Sequence, residues 1–572
     1  LTQSDLFSPP LLPAFPKETD MRLLESLFVR FALGLAICIL GVGAPSQLIA
    51  GELLPAEMTI EDVVDHYIQV KLDAEKIPAG EQAAPNILVR RLTLDLAGRV
   101  PTASEVTSYL ASTEADKRVK IVDRLLASPD FAYQQRNELD LLLMSKTNDG
   151  NWRDYLLKAC QENRPWDQLF KEMFLTVDHD SDRKGALMFV KSRISDIDDL
   201  TNDTSKLFFG VSINCAKCHD HPLVLDWHQD HYYGMFAFFN RSYLNKRNQL
   251  TERTEGPVKF KTTEGVEKQA KFMFLTGTAI EEPAAPMLSE DEKKAIAKLQ
   301  KEDDEKKDGP PAPGPAFSPR SRLIELALKA DENRFFSRSI VNRVWARLLG
   351  RGLVMPLDQM HSENPPTHPE LIDWLARDLV SHGYDLKRLI RGIALSQTYS
   401  RSSVWNSTES KPDANTYAIA YPRPLTPRQY SLALVFATRN EKQLPPDMTS
   451  PDWANRRRDF DNHSQHVANQ LENPGDNFQV GVNEALFFEN NQHIQNDLLN
   501  DGGDRLLGLI KSIPDRNEQI KTAFLNVFSR QPDPEEVTAI SQYLDARADR
   551  APVAWQQVVW SMLTSSESRF NH

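Results

Sequence analysis

Three observations predict a mainly α fold, with multi-helix N- and C-terminal domains and a small β insertion between them. Apolar residues recur at helical spacing through most of the chain. The segments that carry them open on Thr, Asp or Pro signals and close on Gly or Pro. Between Pro257 and Thr278 the pattern changes to the alternation of strands.

The helices are justified one by one. TIEDVVDHYIQVKL opens with Thr59 and Asp62 at capping-box spacing and then places Val63, Tyr67, Val70 and Leu72 near one face. NILVRRLTLDLAG, TASEVTSYLAS with its Thr102 and Glu105, and DKRVKIVDRLLASPDF repeat the pattern as short helices of an antiparallel set. WRDYLLKACQENRPWDQLFKEMF is amphipathic and broken at Pro165. VKFKTTEG and KFMFLTG read as a pair of strands. LSEDEKKAIAKLQKEDDEKKDGPPAPGPAFSP joins a charge run to a Pro-rich stretch that has no apolar face to pack, which makes it a domain boundary.

Helical periodicity returns in SRLIELALKAD and RSIVNRVWARLLGRGLV. In PPTHPELIDWLARDLVSHG, Thr367 and Glu370 have capping-box spacing, and Leu371, Trp374, Leu375 and Leu379 share a face. TPRQYSLALVFA starts with Thr426, Pro427 and Gln429, and QPDPEEVTAISQYLDA with Asp533, Pro534 and Glu536. No regular period disposes the chain toward a solenoid. The divisions expected are 1–50 as upstream residues and leader, 51–250 as the first helical domain, 251–288 as the β insertion, 289–319 as linker and 320–572 as the second helical domain.

The leader follows from order and length. Met21 opens MRLLESLFVR, and the fourteen-residue apolar run FALGLAICILGVGA and PSQLIA follow. A basic start, an apolar middle and a small-residue boundary form the layout of a secretory signal, with cleavage near Ala50. The run is shorter than the roughly 20 residues of a membrane span. Retention as an N-terminal anchor is the alternative, and membrane contact is expected only in that case. Ile37 before Cys38 is a poor fit to a lipid-attachment signal.

Composition excludes several classes. The formal charge is −13, with 80 acidic against 67 basic side chains, which opposes a phosphate backbone over most of the surface, so no nucleic acid partner is expected. Three cysteines, Cys160, Cys215 and Cys218, follow the leader, too few to staple a chain of 572 residues. Cys160 reads as a small buried hydrophobe. Motifs for a nucleophile elbow, a zincin, a phosphate loop or a dinucleotide fold do not occur.

The chemistry concentrates in VSINCAKCHDHPL. Cys215, Cys218 and His219 have the C-x-x-C-H spacing of covalently attached haem c, with two thiols for the vinyl groups and an imidazole for the iron. Attachment takes place after export, which the leader supplies. His221, His228, His231 and Met235 are near in sequence as sixth ligands, and Met355, Met360 or His361 could arrive by folding. Asp220 and Asp226 read as acceptors for an imidazole nitrogen or as turn residues. A zinc site from Cys215, Cys218, His228 and His231 is the metal alternative, with tighter spacing than usual fingers. A disulfide or two unliganded thiols is the third. His361, Glu363 and His368 in MHSENPPTHPE form a second candidate site, against a reading as a capped loop. Asp461, His463 and His466 read as helix-surface or turn residues.

RRLTLDLAGRVPTASEVTSYL, VDRLLASPDF, NWRDYLLKACQENRPWDQLFKEM and GVSINCAKCHDHPLVLDWHQDHYYGMFAFF resemble the domain of unknown function 1549. The stretch from SRLIELALKADENRFF to IALSQTYSRSS resembles its usual companion, the domain of unknown function 1553. The resemblance implies an exported, planctomycete-type protein whose family motif falls on Cys215, Cys218 and His219, with Asp220 and His221 completing CHDH; it implies no reaction. The expected function is that of a c-type haem protein of the periplasm or cell envelope, engaged in electron transfer with a redox partner protein or in haem-based redox chemistry. A non-redox envelope binding protein with a Cys/His zinc site, and a hydrolase acting on polysaccharide or binding a small molecule, are the alternatives.

Overall fold

The computed structural model describes residues 53–145, 149–178, 180–221, 224–283, 289–305, 315–408, 410–445, 447–474, 479–492 and 494–572. Met21, Cys38, Ala50 and the leader expectation therefore lie outside the described residues, as do Pro222 and Leu223 of the CHDHPL stretch and the PPAPG part of the linker. Helices dominate as expected, and the β structure is confined to short antiparallel pairs. Among the described residues no helix is long and apolar enough to cross a membrane.

The start and stop chemistry acts largely where the sequence places it. Thr102 and Glu105 form a reciprocal capping box on Ala103–Ala111, as do Thr426 and Gln429 on Pro427–Ala437 and Asp533 and Glu536 on Pro534–Asp545. Pro165 separates Gly150–Gln161 from Trp166–Leu175. On Ile60–Glu75 the buried face is Ile60, Val63, Val64, Ile68 and Leu72, while Val70 points to solvent. Before Pro369–Ser381 the cap is His368 rather than Thr367, whose N–H bonds the Leu353 carbonyl 2.7 Å away. Pro369 at the first helical position sets this register.

The strands pair differently from the sequence expectation. VKFKTTEG and KFMFLTG do not pair with each other; each opens its own hairpin. Lys259–Lys261 pairs with Glu267–Gln269, and Phe272–Met273 with Ala279–Ile280. The reason lies in the turns. Gly265 and Gly277 take φ of 81° and 83°, a conformation open to glycine, and each folds its strand back locally. A further hairpin, Ser242–Leu244 with Leu250–Glu252, precedes them.

Two aromatic-rich cores hold the helices. Trp166, Phe170, Phe174, Phe189, Phe208 and Phe336 form one beneath Ile197–Phe209, with the rings of Phe170 and Phe208 centred 4.8 Å apart. Tyr430, Phe436, Trp453, Phe524 and Trp555 belong to the other, among the C-terminal helices. Cys160 packs beside Tyr133 and Leu157, and burial pushes its thiol up to about 12, in keeping with a packing role.

The early and late parts of the sequence interlock, and Leu54–His572 is one compact unit. Asp95, in the helix Pro85–Ala97, accepts from the Tyr399 hydroxyl at 2.7 Å, from Arg423 at 2.8 Å and from the Asn571 amide at 2.8 Å. Asn571 belongs to the two-residue strand Phe570–Asn571, which pairs with Arg423–Pro424. Closer still is the approach of Ile60–Glu75 to Leu386–Leu395. A Cβ added at Gly392 would sit 2.3 Å from Ile60 Cβ. Gly392→Ala is therefore expected to destabilise the fold by about 1–3 kcal/mol through overpacking, against a helix-propensity gain of about 1 kcal/mol. Urea titration of the two chains measures the difference; an unchanged midpoint would show that these helices separate freely.

Candidate functional site

The CAKCH stretch begins where Ile197–Phe209 ends. Gly210 closes that helix with φ 69°, and a Cβ there would meet Met360 Sδ at 3.0 Å and Ser339 Oγ at 3.2 Å. From this close approach the chain runs beside residues 358–360. The Met360 N–H bonds the Gly210 carbonyl at 3.0 Å, the Ser212 N–H bonds the Asp358 carbonyl at 2.8 Å, and Val211 bridges Gln359. The 3-10 turn Asn214–Lys217 follows. Its buried side is Ala216, whereas Cys215 and Cys218 are exposed and free. Lys217 Nζ bonds Asp198 at 2.8 Å, and the Tyr232 hydroxyl donates to the same carboxylate. Burial works to raise the Asp198 pKa, but these two donors and the Lys217 charge outweigh it and leave the carboxyl below its ordinary range.

The next loop spends its imidazoles on its own backbone. His219 Nδ1 lies 2.7 Å from the Asp220 carbonyl. His221 Nδ1 accepts from the Val224 N–H at 3.0 Å, and the His221 N–H reaches the Trp227 carbonyl at 2.8 Å. The Asp220 carboxylate accepts from the Gln229 N–H at 2.8 Å and stands 3.2 Å from His228 Nδ1. That backbone bond, and then His228, hold Asp220 below the ordinary carboxylate range. His231 Nδ1 accepts from the His228 N–H at 3.2 Å, with the two rings stacked 5.7 Å apart. Burial, then the neighbouring His228, lower the His231 pKa. Met235 is fully buried in Gln229–Phe239.

Folding brings the second candidate stretch to the first. The Asp226 carboxylate accepts from the Ser362 N–H at 2.7 Å and the Ser362 hydroxyl at 2.9 Å, across 136 residues of sequence. His361 is half-buried, and its Nδ1 is buried without a hydrogen-bond partner. Its pKa is lowered by burial, against the opposing pull of Asp226 and with a smaller push from His221. His221, Asp226, His361 and Glu363 thus belong to one electrostatic neighbourhood. His368 belongs elsewhere: it is 4% exposed, with its ring 5.5 Å from that of Tyr417.

The cofactor expectations are corrected by this geometry. Among the described residues no group of three or more His, Cys, Asp or Glu side chains is gathered so that it could hold a metal ion. Haem c on Cys215, Cys218 and His219, and zinc on Cys215, Cys218, His228 and His231, are both set aside. The physical reason is local. His221 and His231 each spend the Nδ1 lone pair on a backbone N–H, His228 faces Asp220, Met235 is buried in the core, and His219, whose Nδ1 meets the Asp220 carbonyl, has no second ligand gathered with it among the described residues. His219, His221, His228 and His231 organise the loop and the start of the next helix, and Met235 packs in the core, so the set does not converge on a centre.

Of Asp461, His463 and His466, the last is exposed on its helix as a surface reading expects, whereas the first two differ. Asp461 is 5% exposed and lies 2.6 Å from Arg136 Nη2 and 3.5 Å from Arg153 Nη2, while His463 pairs with Asp497. This buried ion network was missed because charged residues on an amphipathic helix ordinarily face water.

Family models match two stretches of the chain. Residues 63–243 match PSCyt2, a protein of unknown function (DUF1549), and residues 319–472 match PSD1, a protein of unknown function (DUF1553). No curated protein and no solved structure matches.

Proposed function

We propose that this chain, which carries a DUF1549 domain followed by a DUF1553 domain, is an exported protein that exchanges thiols and disulfides with a partner protein through Cys215 and Cys218. One observation carries the reading: both cysteines are free and exposed, Cys215 within the 3-10 turn Asn214–Lys217 and Cys218 as the residue that closes it. Cysteine is among the most buried residue types, so two exposed thiols three positions apart call for a reason other than packing. The two thiols stand unbonded, and joining them requires the turn to close up. Ala216 on the inner side, with the Lys217 to Asp198 bond, anchors the turn against the helix Ile197–Phe209.

The chemistry balances within the two chains. One thiolate attacks a sulfur of the partner's disulfide, and the partner's other sulfur leaves as a thiolate that takes a proton from water. The second thiol gives up its proton and attacks the mixed disulfide. A Cys215–Cys218 disulfide forms, two electrons pass to the partner, and the partner leaves as a dithiol.

The test is equilibration of the full chain in glutathione buffers of graded potential, followed by alkylation of the remaining thiols and mass spectrometry. Cys215 and Cys218 are expected to oxidise together as one two-electron couple. Cys215→Ser or Cys218→Ser is expected to accumulate a glutathione adduct on the cysteine that remains. Independent oxidation of the two thiols in the unaltered chain, each capped by glutathione, would overturn the proposal.

A further inference from the structure

A second site lies away from the thiol turn, at the start of the helix Pro427–Ala437. A cavity of about 240 Å³ is lined there by Asn137, Asp140, Ser145, Thr426, Arg428 and Asn469. Its size falls below the roughly 300–1,000 Å³ of pockets for drug-sized ligands, so it suits something smaller.

The charges around it are unevenly satisfied. Arg136 and Arg153 share Asp461, Arg153 also holds Asp140 at 2.6 Å, and Arg457 lies 2.8 Å from Asp130. Arg428 is half-buried in the field of the same groups, yet among the described residues no hydrogen bond or ion pair engages it, and its Nη1 is buried without a partner. Burial, then the repulsion of Arg153, push its pKa down to about 10, a further sign of a guanidinium short of counter-charge. A half-buried cation left unpaired bears part of the cost of a buried charge, and an anion binding beside it offsets that cost.

The lining supplies donors rather than competing acceptors. Asp140 is occupied by Trp152 Nε1 at 3.0 Å and by Arg153. The Asn137 oxygen accepts from Arg136 at 2.8 Å and from Arg153 at 3.3 Å, which leaves its amide NH2 for a ligand. The Ser145 hydroxyl follows the helix Pro129–Met144 at a residue with φ 57°. We infer that this cavity binds a small monocarboxylate of sugar-acid size, its carboxylate on the Arg428 guanidinium and its hydroxyls toward Asn137, Ser145 and Asn469. A planar guanidinium fork matches a carboxylate in two-point fashion, and one unpaired cation calls for one negative charge.

Isothermal titration of the full chain with glucuronate, and with glucose as the neutral control, tests this. Glucuronate is expected to bind, glucose not, and Arg428→Gln to weaken glucuronate by about ten- to a hundredfold. Arg428→Lys, which keeps the charge and the fold but loses the fork, is expected to fall between the two, and it carries the test if the glutamine variant does not fold. Absence of glucuronate binding, equal binding of glucose, or unchanged affinity in the arginine variants would overturn the inference.

Discussion

Replacing Asp130 by alanine is expected to lower the stability of the fold by about 3–5 kcal/mol, the range found when one partner of a buried ion pair is removed. Asp130 is fully buried between two arginines, with Arg99 Nε 2.8 Å from one carboxylate oxygen and Arg457 Nε 2.8 Å from the other. The two cations are unequally provided for. Arg99 also holds Glu105 at 2.7 Å and stacks on Phe436, whereas the next carboxylate to Arg457 is Asp461 at 3.8 Å. Burial works to lower the pKa of both guanidiniums; the acids raise that of Arg99 overall, and for Arg457 burial prevails. Without Asp130, Arg457 remains fully buried with its nearest acid gone, left with Asp461 at 3.8 Å, which Arg136 already holds, and the Tyr133 ring 4.7 Å away. A urea titration of the variant reads the loss directly. Asp130→Leu combined with Arg457→Met is expected to recover part of it, because an apolar pair leaves no charge unpaired. A variant as stable as the parent would show that water reaches these groups.

The second large effect is a loss of stability on mild acidification, traced to His368. Burial, with a smaller contribution from Lys71, depresses its pKa from 6.5 to about 3. The ring is 4% exposed, its Nδ1 lies 3.0 Å from the Thr367 hydroxyl, and its Nε2 has no partner. The folded chain thus keeps this imidazole neutral where the unfolded chain protonates it. Its share of stability is complete above about pH 6.5 and declines as pH falls toward about 3, by up to about 1.4 kcal/mol per pH unit. Glu105 and Asp461, each held at about 2 by arginines that outweigh burial, lose their share only lower, as pH falls from about 4 to 2. Urea midpoints measured at pH 7 and pH 5 for the parent and for His368→Phe separate the two windows. The variant is expected to show the shallower slope between those pH values. Equal slopes would assign the acid response to other groups.

Local chemistry made most of the fold legible. Thr102, Thr426 and Asp533 cap helices because a hydroxyl or carboxylate three residues before a Glu or Gln satisfies backbone donors wherever it occurs. At Thr367 the same spacing misled, since Pro369 moves the helix start by one residue and makes His368 the cap. The strands of the insertion were visible, but their partners were decided by Gly265 and Gly277, whose turns close before the next strand is reached. The candidate site was legible only in part. Cys215 and Cys218 stand out in any reading of the chain, yet ligation depends on where imidazoles point, and the bonds of His219, His221 and His231 to neighbouring backbone are invisible to spacing. The meeting of Asp226 with Ser362, and of Arg136 with Asp461, joins residues more than a hundred positions apart, beyond the reach of any local rule.

Asp95 collects its three donors from positions 399, 423 and 571, the last of them 476 residues downstream. A carboxylate so placed stays without its full set until nearly all of the polypeptide has been made. The seam between the first helices and the end of the chain therefore closes only when synthesis is nearly complete. Cutting the gene between its two halves would yield two fragments that each carry an open seam. Mixing those fragments, rather than purifying either alone, is the route by which the native assembly would be regained.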